Sequence, residues 1–426
     1  MQCMWRAGVL ALFACAGCNQ VFGLGQTVAL DAAIPPGGAC GSDGTCPGAE
    51  VCETVSGTCV ACTVADSSAC TNQTPLCGAD HACHACVAHA DCVSDVCLPD
   101  GSCGDAATVA YVSATQGIDP ASGTPVCAQS APCATLAVAL TASKPTIKVR
   151  GSINGSTVIG NGANVTIVGD DDAELHGTGG PTIDVGPMAT VTLRDLAISN
   201  GDPGVQMAGA NSTANVTILH SRISSNISAG VVLSPSGAAA HQILTISQSR
   251  IEHNPAGGIS ANAVTAGAPT FHVIGNVFFA NGNTSTSIGG ASLTSTRADN
   301  TLDFNTVAKN VTASGFEPGL QCNASLVASN NIIADNSAGS AAAPSQTDGT
   351  CTYSYTLAFP GTVPGAMNMS GEPVFASENA GDLHLLPSSL GVTAANPDAN
   401  LMGLAAADLD GTPRHAPASV GAFQFH

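Results

Sequence analysis

A repeat of about 27 residues runs through the middle of the chain and restricts its fold more than any other feature. Each copy has two alternating apolar residues and ends in an asparagine, and in the five full copies another apolar residue stands seven positions after the first. The copies begin at Val191, Val216, Leu244, Phe271, Leu302 (a shortened copy) and Leu326. A second short strand, opened by glycine, follows the asparagine. Units of this period and content bury a continuous core only by stacking, so the sequence predicts a solenoid.

The corners of the repeat have their own pattern. Glycine and asparagine supply the positive φ that tight corners need. Similar residues stacked at one corner can form a ladder of hydrogen-bonded side chains. The sequence predicts such a ladder from Ser221, Ser249, Asn276 and Asn331. A β-sandwich is the alternative fold, but its strands would not restart in phase with the same corner asparagine.

The segment before the repeats supports an all-β solenoid with a cap. Tyr111–Ser113, Gly117–Asp119 and Pro132–Leu136 resemble the N-terminal segment of pectate-lyase-like proteins. The resemblance implies a right-handed parallel β-helix, with rungs over 147–376 and an N-terminal cap over 105–146. A short amphipathic helix is predicted at 134–143, because an uncapped solenoid would expose an apolar cross-section.

The C-terminal residues 377–426 carry a second resemblance. The matching motifs are Gly381–Leu385, Asp408–Arg414 and Val420–Phe423. They are similar to the end of the choice-of-anchor Q family of surface β-helix proteins. The resemblance implies a closing cap and surface display rather than an activity. Within this region, Arg414 is expected to form an ion pair with Asp408 or Asp410.

Cysteines dominate residues 40–104. Twelve of the 19 cysteines of the chain fall there in three units of four: Cys40, Cys46, Cys52, Cys59; Cys62, Cys70, Cys77, Cys83; Cys86, Cys92, Cys97, Cys103. So short a segment, poor in large apolar side chains, needs cross-links to fold, which predicts a small disulfide-rich domain of unknown pairing. A zinc module that includes His81, His84 and His89 is the alternative. The segment resembles short Dickkopf-like cysteine-rich repeats.

Two further disulfides are predicted in the solenoid region. Cys127 and Cys133 are expected to bridge in the N-terminal cap, and Cys322 and Cys351 are expected to bridge a loop near the last rungs. With the twelve clustered cysteines they make sixteen, an even number.

The N-terminus has the features of an export signal. Residues 1–18 contain Arg6, a short apolar run and small residues before Cys18. Cys15–Cys18 resembles a lipobox, which implies cleavage before Cys18 and lipidation of its thiol. Cleavage before Cys15, a plain secretory signal and an uncleaved anchor are alternatives. Asn19 implies, by resemblance to Gram-negative lipoproteins, anchoring in the outer membrane. Residues 19–39 are predicted to be a flexible tether.

Charge and composition limit the partners. The net charge of −20, with only ten Lys and Arg, argues against nucleic acid as a partner. No cofactor is expected, with Ca²⁺ at Asp170, Asp171 and Asp172 as the one candidate, since hard cations bind loop carboxylates. A solvated acidic turn is the alternative interpretation of this cluster.

Three residues on neighbouring coils are the candidate site residues. Asp195 is the candidate catalytic carboxylate, and Arg222 and Arg250 occupy equivalent outward positions on adjacent coils. Two stacked guanidinium groups could bind a uronate or a sulfate. A surface stripe neutralised by neighbours is the alternative.

Two functions follow from this reasoning. The first is a non-enzymatic module for surface display, adhesion or glycan binding. The second is a polysaccharide lyase or glycoside hydrolase that acts on an acidic polysaccharide, which would need paired carboxylates or a cationic base. The absence of lysine between Gly151 and Ala308 disfavours a lysine-based lyase.

Overall fold

The computed structural model describes residues 38–41, 44–46, 50–71, 73–237, 239–262, 267–322, 326–339, 345–349 and 351–426. The predicted export signal, the predicted lipidation site Cys18 and nearly all of the predicted tether lie outside these residues. The chain divides into two compact units. The first contains the described residues up to Val87 together with Leu98–Ser102, and the second contains Ala88–Cys97 and Cys103–His426.

The first unit consists of two small disulfide-bonded hairpins. Strands Val51–Glu53 and Thr58–Val60 pair antiparallel, as do strands Leu76–Cys77 and Cys83–His84. The disulfides of this unit are Cys40–Cys52, Cys46–Cys59, Cys62–Cys77 and Cys70–Cys83. In each of these two groups of four cysteines, the first is therefore joined to the third and the second to the fourth. All cysteines from Cys40 onward are disulfide-bonded, which excludes the zinc alternative for them because zinc binds thiolates.

The second unit is a right-handed parallel β-helix with three faces. Within the described residues, sheet A has eleven strands: Val109–Ser113, Thr146–Arg150, Asn164–Gly169, Thr190–Arg194, Asn215–Leu219, Ile243–Ser247, Thr270–Ile274, Thr301–Asp303, Val327–Ser329, Thr352–Ser354 and Gly365–Ala366. Sheet B has ten: Ser152–Asn154, Glu174–His176, Ala197–Ser199, Arg222–Ser224, Arg250–Glu252, Val277–Phe279, Thr306–Ala308, Ile332–Ala334, Leu357–Phe359 and Met369–Ser370. Sheet C has eight: Thr157–Ile159, Ile183–Val185, Val205–Ala210, Val231–Ser236, Ile259–Asn262, Ala291–Thr294, Leu320–Cys322 and Thr347–Gly349.

The remaining elements of this unit are short. Strands Val311–Thr312 and Ser337–Ala338 pair parallel, and strands Phe375–Ser377 and Asp382–Leu385 pair antiparallel. The α-helix is Leu136–Thr141, and the 3-10 helices are His89–Asp91, Ala106–Thr108, Glu378–Ala380 and Gly403–Ala405. A disulfide joins Cys92 to Cys103.

Successive coils pair in the register that the repeat predicts. Val191 lies opposite Val165 on one side and Val216 on the other. Leu193 is aligned in the same way with the isoleucines of the neighbouring strands. These side chains are buried in one continuous core, whereas the threonines between them, such as Thr192, face outward. Full burial of each such aliphatic side chain is worth about 1.5 to 3 kcal/mol, so stacking of the coils stabilises the fold.

Two ladders of buried polar side chains run along the corners. The predicted ladder forms through Ser221, Ser249, Asn276, Asn305 and Asn331. Asn305 was missed because its copy of the repeat is shortened. A second ladder follows the repeat asparagines Asn226, Asn254, Asn281, Asn310 and Asn336. In it, each side-chain amide donates to the next side-chain oxygen at 2.8–3.0 Å. The ladder side chains form hydrogen bonds with backbone polar groups at the corners, which would otherwise be buried without partners.

The N-terminal cap closes one end of the core. Helix Leu136–Thr141 begins after Thr135, whose hydroxyl accepts a hydrogen bond from the amide of Val138. The carboxylate of Asp119 accepts a hydrogen bond from the hydroxyl of Thr135 at 2.8 Å, and the disulfide Cys127–Cys133 lies beside this contact. Leu136 and Ala139 face the core. The second solenoid disulfide joins Cys322 to Cys351.

The C-terminal region differs from the expectation of a closing cap. Its apolar side chains, including Leu383, Val420 and Phe423, pack on outward-facing residues of sheet B and of the neighbouring corner. Those solenoid residues are Val277, Phe279, Phe304, Ile332 and Leu357. The region therefore covers a side of the last coils, because that side is apolar and would otherwise face water.

Arg414 also differs from its predicted role in an ion pair. Its terminal nitrogen donates to the carbonyls of Gly421 and Ala422, and its guanidinium lies 4.5 Å from the ring centre of Phe304. Burial lowers the pKa of Arg414 to about 10, although Asp408 and Asp303 oppose that effect. The residue joins the end of the C-terminal region to the solenoid.

Candidate functional site

The outward face of sheet B changes character along the solenoid. Its aligned outward residues are Glu174, Ala197, Arg222 and Arg250 on the earlier coils and Val277, Thr306, Ile332 and Leu357 on the later coils. The C-terminal region packs on the apolar part and leaves the polar part open. A groove of about 560 Å³ lies at the border.

The groove brings together several of the predicted site residues. Asp171, Asp195, Arg222 and Arg250 all line it, together with Asp410 from the C-terminal region. Asp195 and the two arginines belong to three successive coils, so stacking at about 4.8 Å per coil places them along one wall. The sequence predicted the stacking of the arginines, but it did not predict that Asp410 faces them.

Glu252 holds the two arginines in place. Arg222 lies directly opposite Arg250 in the parallel pairing of their strands. One oxygen of Glu252 lies 2.6 Å from Nε of Arg222, and the other lies 3.0 Å from a terminal nitrogen of Arg250. Burial raises the pKa of Glu252, but Arg250 and Arg222 outweigh that effect and hold it below its ordinary value. The carboxylate therefore stays ionised and orients both guanidinium groups.

The two arginines differ in what they leave available. Arg250 also donates to the carbonyl of Gly381 at 3.0 Å and is largely covered. The side chain of Arg222 is 58% exposed and engages Glu252 through Nε. In the described part of the chain, its two terminal nitrogens have no acceptor. A guanidinium edge of this kind can hold a carboxylate or sulfate through two parallel hydrogen bonds.

Asp195 is held by Arg194 and His89. One of its carboxylate oxygens lies 2.9 Å from Nε of Arg194 and 3.0 Å from Nε2 of His89. Its backbone has a φ of 56°, in the left-handed region, at a solenoid corner. The carboxylate is therefore a counter-ion at the groove wall, and these contacts leave it less free to act as a base.

The predicted acidic cluster separates in the structure. Asp170 lies 2.6 Å from Nζ of Lys148 and 3.2 Å from Nε of Arg150. Lys148 is fully buried, and burial lowers its pKa although Asp170 opposes the shift. Asp171 and Asp172 are exposed. Among the described residues, convergent sets of three or more ligand atoms occur only in cysteine groups, and those cysteines are disulfide-bonded. The three aspartates thus do not converge as calcium ligands do.

A second, smaller cavity of about 310 Å³ shares Arg250 and Asp410 with the groove. Its centre is His384, whose two ring nitrogens lie 2.6 Å from an oxygen of Asp382 and 2.7 Å from an oxygen of Asp410. The ring of Phe423 is 3.9 Å away, centre to centre. The sequence identified these residues only as parts of motifs. Along the strand Asp382–Leu385, Asp382 and His384 alternate with two leucines. This alternation was the sequence signal for an exposed face that carries the polar side chains.

The comparisons support the fold of the groove-bearing part. Residues 146–307 match the family model for the right handed beta helix region. The match includes Asp195, Arg222 and Arg250, and it ends before Asp410. No curated protein is significantly similar to the chain. No helix among the described residues has the length and apolar character needed to cross a membrane.

The β-helix thus presents an open polar groove on a rigid wall. His220 also lines the groove, and desolvation lowers the pKa of its imidazole. Among the charged side chains that the structure describes in the groove, the terminal nitrogens of Arg222 and the carboxylate of Asp171 form no hydrogen bond or ion pair. Such an arrangement can bind a polar polymer by hydrogen bonds and charge, with Arg222 as its strongest donor for an anion.

Proposed function

We propose that this chain is a non-enzymatic glycan-binding module, displayed at the cell envelope, whose groove binds an acidic polysaccharide. The observation that carries the proposal is the exposed edge of Arg222, oriented by the buried carboxylate of Glu252 over an open groove. A uronate or sulfate group fits the spacing and charge of that edge.

The rigidity of the wall favours binding. Arg222 and Arg250 stand on paired strands of one sheet, so little conformational freedom is lost when a ligand binds. Hydrogen bonds between charged groups are worth about 1.5 to 3 kcal/mol each, more than bonds between neutral groups. An extended polymer could contact several coils at once, because the wall is built from repeats.

The state of the carboxylates favours binding over hydrolysis. A glycosidase of the usual kind needs two carboxyl groups that act on one bond as acid and as base or nucleophile. At this groove, Asp195 is paired with Arg194 and His89, and Asp410 is paired with His384. The lyase or hydrolase alternative would require these pairs to open.

We also propose export and an acyl anchor at Cys18 in the outer membrane. Support comes from the disulfides of the first unit, which persist in oxidising compartments. Mass spectrometry of the mature N-terminus tests this directly. A diacylated peptide that begins at Cys18 is expected, and an unmodified N-terminus at another residue would contradict it.

Binding can be measured with purified full chain. Polygalacturonate and a sulfated glycan are titrated by calorimetry, with neutral dextran as the comparison. Arg222→Ala should weaken binding of the acidic polymers about tenfold or more, because charge-assisted hydrogen bonds are lost. Arg222→Lys should retain only part of the wild-type affinity, since lysine lacks the planar guanidinium group that donates two parallel hydrogen bonds.

Arg297→Ala is the matched control, because Arg297 contacts the carbonyl of Ala268 and is not part of the groove. Equal affinity in the Arg222→Ala and Arg297→Ala variants would contradict the proposal, as would the absence of binding to every acidic polymer. Release of reducing or unsaturated ends by the wild-type chain would favour the enzymatic alternative.

A further inference from the structure

The arrangement around His384 requires a charged ring. Both ring nitrogens lie within hydrogen-bond distance of carboxylates, at 2.6 Å from Asp382 and 2.7 Å from Asp410. A neutral imidazole has one N–H and can donate only one of these bonds, whereas an imidazolium donates both. The observed geometry is therefore that of the protonated state.

The groups that face His384 come from four parts of the chain. Asp382 lies on the same strand, Asp410 on the turn Asp408–Thr412, Arg250 on the solenoid, and Phe423 near the C-terminus. Arg250 donates to the carbonyl of Gly381, next to Asp382. Burial lowers the pKa of His384, but its hydrogen bonds to the two aspartates outweigh burial and raise that pKa above 6.5.

Asp410 connects His384 to the groove. Leu409 and Asp410 line the groove, and Asp410 also contacts His384 in the smaller cavity. The turn is closed by bonds from the amides of Asp410 and Thr412 to the carboxylate of Asp408. Gln248 of the solenoid donates to the carbonyl of Asp408 at 2.8 Å. The turn is thus tied to the solenoid through Asp408, and the carboxylate of Asp410 at its tip is oriented by its contact with His384.

We propose that His384 is a pH-sensitive latch that holds the turn Asp408–Thr412 at the edge of the groove and so regulates the binding of acidic glycans. The regulatory part rests on the proposed function. With the imidazolium present, the charge of Asp410 is neutralised and the turn is fixed. With a neutral ring, one carboxylate loses its bond, and Asp410 becomes a free negative charge at the edge of the groove.

The direction of the effect follows from this charge. A polyanion that contacts Arg222 is repelled by a free carboxylate of Asp410, which lines the same groove. Acidic glycans should bind more tightly below the pKa of His384 than above it. Exposed ion pairs are worth up to about 1 kcal/mol, so the change in affinity should be about twofold to fivefold.

The latch can be tested without a ligand. Nuclear magnetic resonance of the full chain, with labelled histidine, should give a pKa for His384 above the ordinary value, and Asp410→Asn should lower it. Hydrogen exchange of the amides of Leu409, Asp410 and Thr412, corrected for intrinsic rates, should lose protection as the ring deprotonates. In His384→Gln that protection should not change with pH, whereas His272→Gln, a control on sheet A, should behave as wild type.

The glycan measurement uses polygalacturonate, whose carboxylates stay ionised between about pH 6 and pH 8.5, the range in which a raised histidine titrates. Wild type and His272→Gln should bind more weakly at the higher pH, and His384→Gln and Asp410→Asn should show no such change. A pH dependence that persists in both of these variants, or turn protection that is constant with pH in wild type, would overturn the latch. If polygalacturonate fails to bind at either pH, the proposed function fails, and the latch is decided by exchange alone.

Discussion

The second ladder of asparagines should carry a large share of the stability of the solenoid, and Asn281 is the position to test. Asn281 is fully buried at the middle of the ladder. Its side-chain amide donates to the carbonyl of Ile251 and to the side chain of Asn310, at 2.8 and 3.0 Å. Its side-chain oxygen accepts from the backbone and side-chain amides of Asn254, at 3.2 and 2.9 Å.

The expected cost of Asn281→Ala follows from these four bonds. Alanine removes all of them and leaves the backbone N–H of Asn254 buried without that acceptor. An orphaned buried donor costs about 1 to 3 kcal/mol, and each of the other lost bonds about 0.5 to 1.5 kcal/mol. The free energy of unfolding should fall by about 2.5 to 7.5 kcal/mol in all, a large part of the total stability of a typical protein.

Urea unfolding followed by far-ultraviolet circular dichroism measures this loss as a shift of the midpoint at constant slope. Asn161→Ala is the matched control, since Asn161 is exposed and its side chain has no hydrogen bond within the described residues. Its effect should stay within about 0.5 kcal/mol. If Asn281→Ala does not fold, Asn226→Ala, at the end of the ladder, provides a milder test. Equal midpoints for Asn281→Ala and Asn161→Ala would refute the ladder argument.

Three further predictions concern stability. Burial raises the pKa of Asp335 from 3.8 to about 6, so the folded state binds this proton more tightly than the unfolded state. Unfolding free energy should therefore decline as pH rises through about 6, and Asp335→Asn should reduce that decline in urea titrations at several pH values. The remaining decline would come from Asp303, whose pKa is also raised by burial to about 6. Replacing Cys322 and Cys351 together by serine should cost about 3 to 4 kcal/mol by calorimetry, because the disulfide closes a loop with a sequence separation of 29. Gly230→Ala should cost about 1 to 3 kcal/mol in urea unfolding, because its Cβ would lie 2.7 Å from the carbonyl oxygen of Gly258.

Much of the solenoid could be predicted from sequence because its contacts are periodic. A residue such as Val191 meets the residue one period away, so a pattern along the chain becomes a pattern of neighbours in space. The same rule predicted from the sequence that Arg222 lies opposite Arg250, as it does in the structure. It worked less well at Asn305, where a shortened copy hid the alignment with Asn276 and Asn331.

The candidate site was only partly predictable. The stacking of Arg222 on Arg250 followed from the repeat, but the role of Glu252, whose carboxylate orients both arginines, did not. Asp195 lay on the predicted coil, yet its partner His89 comes from a segment more than a hundred residues earlier. No local pattern connects these two positions, so the ion pair that occupies Asp195 could not be read from the sequence.

The amino-acid sequence by itself determined the coil, its register and its polar corners, because each of these depends on residues about one period apart. The tertiary structure alone decided which outer face is covered and which is open. The C-terminal region folds back on the apolar coils of sheet B, and the contact between Asp410 and His384 forms only there. Both residues of that contact lie outside the repeat, in a segment that has no periodic pattern. The repeat therefore gives no indication of which residues form the edge of the groove.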